Sequence, residues 1–340
     1  MKSICVYHAT DSDGVVGASV VLSYIYSVNP EKDRDDIIFL GGNHKPSDNK
    51  IIIEKIMKCL DAEETVIYIV DYSFPPEVFQ KICSHKNCSF IGFFDHHISA
   101  IKAYQEFHFD DSELSRKFKV YDSFLHKNIY CGLKKNISGC KIAFQSLNSV
   151  KLSSRLIDLV SIFDTWDKES PDWKDALSLN MGLQKYVKEK KIEFLSEKIG
   201  DDDFVRNTIS KGSIIQEYID AKNADYAERA SFDLHFEGLL FRAINATPGG
   251  SFVVQTEATE KHDGLLQFSY IKNAWSVSLY QNAKCAKEHD LSIIATKYGG
   301  GGHAGACGFT VQELPFKLSE KGELRDESTT AKPKAYSSLP

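Results

Sequence analysis

Four short runs of almost wholly apolar residues, at positions 3–8, 36–40, 65–70 and 89–94, alternate with longer segments of helical periodicity. A strand with one wet face alternates apolar and polar side chains, whereas a strand covered on both faces reads as a continuous apolar run. Helical patterns separate the runs: residues 15–26, 50–60 with apolar positions 52, 53, 56, 57 and 60, and 76–85. Strands covered on both faces and spaced by helices predict a parallel, doubly wound α/β sheet. In such sheets, sites form beyond the carboxyl ends of the strands.

Further along, residues 138–147 and 154–163 read as two helices that close this first domain. From 176 to 230 the pattern stays helical but turns more polar. After that come short β-type runs: FDLHF, GLLFRAIN, SFVVQT, LLQFSYI and AWSVSLY. A helix over 290–298, the glycine tract Gly299–Gly302 and a strand over 306–311 follow. The expected organisation is a first α/β domain at 1–185, a helical linker at 186–230, a smaller α/β domain at 231–314 and a flexible tail at 315–340. Two domains also suit a chain of 340 residues.

With 42% apolar and 26% charged residues the chain is neither disordered, collagen-like nor a coiled coil. Its net charge of −6 gives no global basic field to hold long duplex DNA by its phosphates. No apolar stretch reaches the ~18–20 residues that cross a bilayer, so no membrane partner is expected. The apolar run 15–25 follows two aspartates and reads as a buried helix rather than a signal peptide. Eight cysteines without framework spacing point to reduced thiols and a cytoplasmic location. On that reading the sequons at Asn136 and Asn245 carry no glycan.

Three of the four apolar runs end directly in acids or histidines. The first leads into His8-Ala9-Thr10-Asp11-Ser12-Asp13-Gly14, the third into Asp71, and the fourth into Asp95-His96-His97. A lone aspartate after a strand is usually a turn or helix cap. In a parallel sheet, however, these ends lie along one edge, and so many carboxylates and imidazoles together repel one another unless cations sit among them. Mixed oxygen and imidazole donors suit Mn²⁺, with Mg²⁺, Co²⁺, Zn²⁺ and Fe²⁺ less favoured.

These residues resemble the DHH phosphoesterase family, in its DHH–DHHA1 branch. Asp95-His96-His97 is similar to the naming motif, and His8…Asp11-Ser12-Asp13-Gly14 to the first motif. Asp71 in VDYS resembles the second and Asp164 in FDTW the fourth, while Gly300-Gly301-Gly302-His303 resembles the GGGH signature of the DHHA1 domain. The landmarks stand in family order over residues ~1–312. The resemblance implies one metal held by His8, Asp11 and Asp71 and a second held by Asp13, Asp71, His96 and Asp164, with Asp71 as the bridge. It further implies that His97 faces the scissile phosphate, that Asp95 orients a ligand, and that Gly300, Gly301, Gly302 and His303 bind substrate. The chain departs from the family pattern in two places. Three positions separate His8 from Asp11, where many members have four or two, and Tyr280 in VSLY stands where an arginine is frequent.

The implied activity is two-metal, Mn²⁺-dependent phosphodiester hydrolysis, with Mg²⁺ or Co²⁺ as substitutes. The compact two-domain arrangement is most similar to nanoRNase-type members, whose substrates are short oligonucleotides, linear dinucleotides and sometimes 3′-phosphoadenosine 5′-phosphate. Alternatives are a RecJ-like single-strand exonuclease, a cyclic-dinucleotide phosphodiesterase and a catalytically silent nucleotide-binding module. A homodimer is compatible with all of these. Three minor features complete the reading. Cys83 and Cys88 suggest a surface loop more than a zinc site, Trp166 and Trp173 pack or stack on a base, and His44 follows the second strand at the same sheet edge.

Overall fold

The computed structural model describes residues 1–43, 46–148, 153–247 and 257–317. Its contacts divide the chain into two units, Met1–Gln216 and Glu217–Pro340. The first unit begins with β1 (Lys2–His8), α1 (Ser12–Val28), β2 (Ile37–Gly42), α2 (Pro46–Ala62), β3 (Thr65–Val70), α3 (Pro76–Cys83) and β4 (Cys88–Asp95). It continues through α4 (Ile98–Glu106), α5 (Ser112–Val120), β5 (Ser123–His126), β6 (Ile129–Leu133), α6 (Gly139–Leu147), α7 (Arg155–Asp164), α8 (Trp173–Lys188) and α9 (Ile192–Ser196). Helix α10 (Asp202–Ala230) runs across the division.

The sheet of the first unit has strand order β2-β1-β3-β4-β6-β5 and is parallel except for the antiparallel edge strand β5. The expected doubly wound α/β character of this half is therefore present. Alternate residues of each central strand enter opposite cores. Ile4, Val6, Ile67, Ile69, Ile91 and Phe93 pack with α2–α5, whereas Cys5, Tyr7, Tyr68, Val70 and Phe94 pack with α1 and α6–α9. Two cores on one sheet explain why the strands are apolar on both faces. Helix α1 is walled in by neighbours, with Ser12 to Leu22 and Ile25 all buried. That explains the apolar run that a signal peptide would mimic.

Residues 98–133, which the sequence leaves without a clear pattern, form α4, α5 and the β5–β6 hairpin. Elsewhere the elements differ from expectation by a few residues at their ends. The clearest case is α1, which starts at Ser12 because Asp11 caps it.

The second unit has β7 (Ser231–Phe236), β8 (Leu239–Asn245), β9 (Gly264–Ile271), β10 (Ala274–Gln281), α11 (Ser292–Lys297), β11 (Gly301–His303) and β12 (Ala306–Val311). Its sheet order is β11-β12-β10-β9-β8-β7, antiparallel except for the β8–β9 pair. Two hairpins turn on adjacent left-handed residues, Glu237-Gly238 and Lys272-Asn273, the twist that two-residue hairpin loops favour. One sheet face, with Leu234, Phe241, Leu266, Phe268, Val277 and Leu279, packs under Leu291, Ile294 and Ala295 of α11. The SFVVQT run and residues 318–340 of the expected tail lie outside the described residues. All eight cysteines are unpaired thiols, and among the described residues no helix is long and apolar enough to cross a membrane.

Candidate metal centre

Because β1 lies between β2 and β3, the chain reverses its direction of winding at the β1/β3 boundary. Such a switch point opens a crevice beyond the strand ends. His8 ends β1, Asp71 follows β3 and Asp95 ends β4, so one crevice edge carries all three.

The turn after β1 is tight. Asp11 accepts a hydrogen bond from the Gly14 backbone N–H at 3.0 Å and caps α1. Gly14 itself crosses the His8 carbonyl, where an added Cβ would lie 1.9 Å from the oxygen. Gly14→Ala should therefore push α1 away from β1, destabilising the fold by about 1–3 kcal/mol. Chemical denaturation checks this, and a wild-type midpoint would contradict it. The turn also sets the His8 ring: Nε2 pairs with Thr10 Oγ1 at 2.7 Å, and Nδ1 lies 2.7 Å from Asp11 Oδ2 and 3.5 Å from Asp71 Oδ2. Sequence reading missed Thr10, which fixes the ring as outer partners of metal-binding histidines do.

Asp71 is held by its backbone. Its N–H donates to the Phe94 carbonyl at 2.9 Å, and its φ of 51° is left-handed. Gly139 packs against it so closely that a Cβ there would come within 2.8 Å of the Asp71 Cβ. Asp13, fully buried, points at the start of α6 and accepts the Gly139 N–H at 2.7 Å and the Cys140 N–H at 2.8 Å. A helix N-terminus is well suited to an anion. Ser138, the cap of α6, is a readable helix start, but nothing local reveals a partner 126 residues away. Ser12 adds a buried hydrogen bond to Asn180 of α8 at 2.9 Å, also invisible from sequence.

His96 sits in the middle of the acids. Its Nε2 is 3.3 Å from Asp71 Oδ1, 3.3 Å from Asp164 Oδ2 and 3.8 Å from Asp13 Oδ2. Asp95 is fully buried, and its Oδ1 accepts from the His96 N–H at 2.7 Å and the His97 N–H at 3.2 Å, and pairs with His97 Nδ1 at 2.8 Å. The two imidazoles lie with ring centroids 4.7 Å apart.

The electrostatics are those of a crowded anionic pocket. Burial and the neighbouring Asp13 push the Asp71 carboxyl far above the usual carboxylate range. The same two causes bring Asp164 to about 8. Burial works to lower the His8 imidazole, but the Asp11 and Asp71 carboxylates facing Nδ1 outweigh it and hold it at about 10. The hydrogen bond to Asp95 raises His97, and although burial opposes it, the same bond keeps Asp95 below its ordinary value.

Three groups of donors each gather within 4.8 Å: His8, Asp11 and Asp71; Asp13, His96 and Asp164; and Asp71, Asp95, His96 and His97. Neither oxygen of Asp71, nor Oδ2 of Asp95 or Asp164, has a hydrogen bond among the described residues. Buried carboxylate oxygens are normally satisfied. Buried acidic and imidazole groups thus cluster where a metal ion can bind, and the donor set fits a divalent cation.

The seven acids and histidines expected at the sheet edge come together in the first unit, and Asp164, at the end of α7, joins them. Gly300, Gly301, Gly302 and His303 belong to the second. There the tract is not a plain loop: Gly301–His303 forms the exposed strand β11, paired with β12 through Gly302↔Cys307 and His303↔Ala306. The close pairing needs glycine, since a Cβ at Gly300 would meet the Gly308 carbonyl at 2.1 Å, and Gly302 has a φ of 134°. Tyr280 pairs with Ala306 across β10 and β12. Cys83 closes α3 and Cys88 is buried at the start of β4. His44 lies outside the described residues.

No protein-family model matches the chain, and no curated protein sequence does either. Solved structures that match the chain include an uncharacterised protein from Helicobacter pylori G27, at 14% identity and a TM-score of 0.40, covering 92% of this chain and 94% of that one. Another is the pGpG-specific phosphodiesterase PggH from Vibrio cholerae, at 12% identity, a TM-score of 0.48 and coverage of 91% and 93%. A third is an exopolyphosphatase-related protein from Bacteroides fragilis, at 12% identity, a TM-score of 0.42 and coverage of 92% and 88%. Likeness at this level says nothing about chemistry, which rests on this chain's own residues.

Proposed function

We propose that the chain is a metal-dependent phosphoesterase that hydrolyses phosphodiester bonds of short oligonucleotides or linear dinucleotides. One observation carries the reading. The buried Asp71 offers two oxygens without hydrogen bonds, one towards His8 at 3.5 Å and the other towards His96 at 3.3 Å, so a single carboxylate serves both donor groups. His8, Asp11 and Asp71 would hold one cation and Asp13, Asp71, His96 and Asp164 a second, with Mn²⁺ the ion their mixed donors suit best. Such ions supply neutralisation of phosphoryl charge and a nucleophile at neutral pH. The chain supplies the rest. Asp95 engages His97 Nδ1 and so fixes which ring nitrogen carries the proton, leaving the half-exposed His97 to meet the leaving oxygen. In the second unit, the exposed glycine tract and His303 offer backbone N–H groups and an imidazole to a phosphate or base. On this reading the two units are the DHH and DHHA1 domains.

The test pairs binding with turnover. Mn²⁺ should raise the melting temperature with rising concentration, stabilising the fold by about 2.7 kcal/mol at a hundredfold excess over Kd, and EDTA should reverse it. With Mn²⁺ present, pApA and a short oligoribonucleotide should be cleaved faster than cyclic di-AMP, 3′-phosphoadenosine 5′-phosphate, pyrophosphate or long single-stranded DNA. Processive loss of the long strand would favour a RecJ-like enzyme. Stabilisation by Mn²⁺ without any cleavage would leave only a binding module.

A further inference from the structure

Three successive residues where α1 begins are anchored to three different places. Asp11 accepts from Gly14 of its own turn, and Asp13 accepts from the first N–H groups of α6. Ser12, between them, donates its hydroxyl to Asn180 Oδ1 of α8 at 2.9 Å. Asp11 and Asp13 belong to the clustered donors, so only the middle anchor can be altered without removing one of them.

An asparagine is out of place where Asn180 stands. The buried stripe of α8 runs Ala176, Leu179, Asn180, Leu183 and Val187. Asparagine is a poor residue for a helix interior, and a buried amide costs free energy unless it is paired. Asn180 is 8% exposed and Ser12 2%, so their bond lies out of water, where losing it is expensive. A leucine at 180 would extend the stripe and need no partner 168 residues away.

Helix α8 is the second arm of a braced hairpin whose first arm, α7, ends in Asp164. Arg155 of α7 holds Asp172 at 2.8 Å and Asp175 at 3.0 Å. Phe163 stacks on Trp173 at 6.1 Å and 9°, and Trp166 meets Trp173 edge-on at 5.1 Å and 77°. Behind the hairpin, α10 presses so closely that a Cβ at Gly212 would lie 1.7 Å from the Ser178 carbonyl oxygen. The hairpin therefore has little room to shift, and it carries both Asp164 and the acceptor for Ser12.

We propose that Asn180 is a positioning residue for the metal centre. Through Ser12 it fixes the gap between donors on two bodies, Asp11 and Asp13 on α1 and Asp164 on the hairpin. This rests on the metal-dependent reading and goes beyond it by placing control of metal affinity in a side chain outside the donor set. Asn180 takes no part in bond breaking.

The experiment is a double-mutant cycle read by calorimetric titration with Mn²⁺ in the absence of denaturant. Asn180→Leu fills the same space without an acceptor, Ser12→Ala removes the donor, and a third variant carries both changes. Each single variant should bind Mn²⁺ about ten- to hundredfold more weakly, and the double variant no more weakly than the weaker single one. Asn180→Ala replaces Asn180→Leu should the latter not fold. Urea midpoints are measured alongside, because a residue that serves only the scaffold lowers the midpoint and leaves the Mn²⁺ affinity of folded molecules unchanged. Wild-type affinity in either single variant, or losses that multiply in the double variant, would overturn the proposal. Cleavage of pApA by wild type is scored separately. Weakened Mn²⁺ binding in the variants, with no phosphoester cleaved by wild type, rejects the hydrolase alone. Cleavage by wild type with unaltered affinity in the variants rejects the positioning role alone, and a wild type that binds no Mn²⁺ rejects both.

Discussion

Asp71→Asn is expected to cut Mn²⁺ affinity and turnover by more than about a hundredfold while leaving the metal-free protein at least as stable as wild type. Its carboxylate is buried among Asp11, Asp13 and Asp95, and neither oxygen has a hydrogen bond among the described residues. Without cations, lost hydration and the repulsion of the neighbouring acids outweigh the contacts with His8 and His96, which is why its carboxyl stands far above the ordinary range. Asparagine keeps the shape, removes the charge and tolerates the left-handed backbone at a φ of 51°. Thermal melts without metal, set beside Mn²⁺ titrations, separate the two effects. Wild-type Mn²⁺ affinity in this variant would refute the shared-ligand arrangement.

Asp13→Ala should behave in the opposite way, losing about 1–3 kcal/mol of stability before any metal is added, even though its charge no longer repels Asp71 and Asp164. Asp13 is fully buried, and its two oxygens are the acceptors for the first N–H groups of α6, at 2.7 and 2.8 Å. Removing them leaves two buried donors without partners at the positive end of a helix. Urea denaturation measures the loss. A variant as stable as Asp71→Asn would mean that Asp13 serves the metal and not the scaffold. The two variants are thus expected to separate an aspartate that joins distant elements from one that costs the metal-free fold stability.

The centre was legible because a parallel sheet lines up strand ends, so His8, Asp71 and Asp95-His96-His97 were bound to meet although tens of residues separate them. Apolar strands covered on both faces announced that sheet. What stayed hidden depends on partners far along the chain or on signals the residues do not carry. The contact of Asp13 with α6 joins residues 126 apart. Strands β5 and β6 are four and five residues long and turn through Lys127 at a φ of 51°, without the glycine that marks most such turns. Strand β11 is Gly301-Gly302-His303, too short and too poor in side chains for an alternation to be read. The turn after α7 escapes as well, since its left-handed residue is Trp166, with a φ of 56°, where glycine is usual.

Helix α1 begins between the two carboxylates it contributes, Asp11 as its cap and Asp13 in its first turn, and its body is enclosed by packed neighbours on every side. An enclosed rod cannot pivot, so these two donors keep their spacing whatever the ionic supply. On the proposed metal-dependent reading, their oxygens would stand ready at that spacing before a cation arrives, and binding would need no shift of the helix.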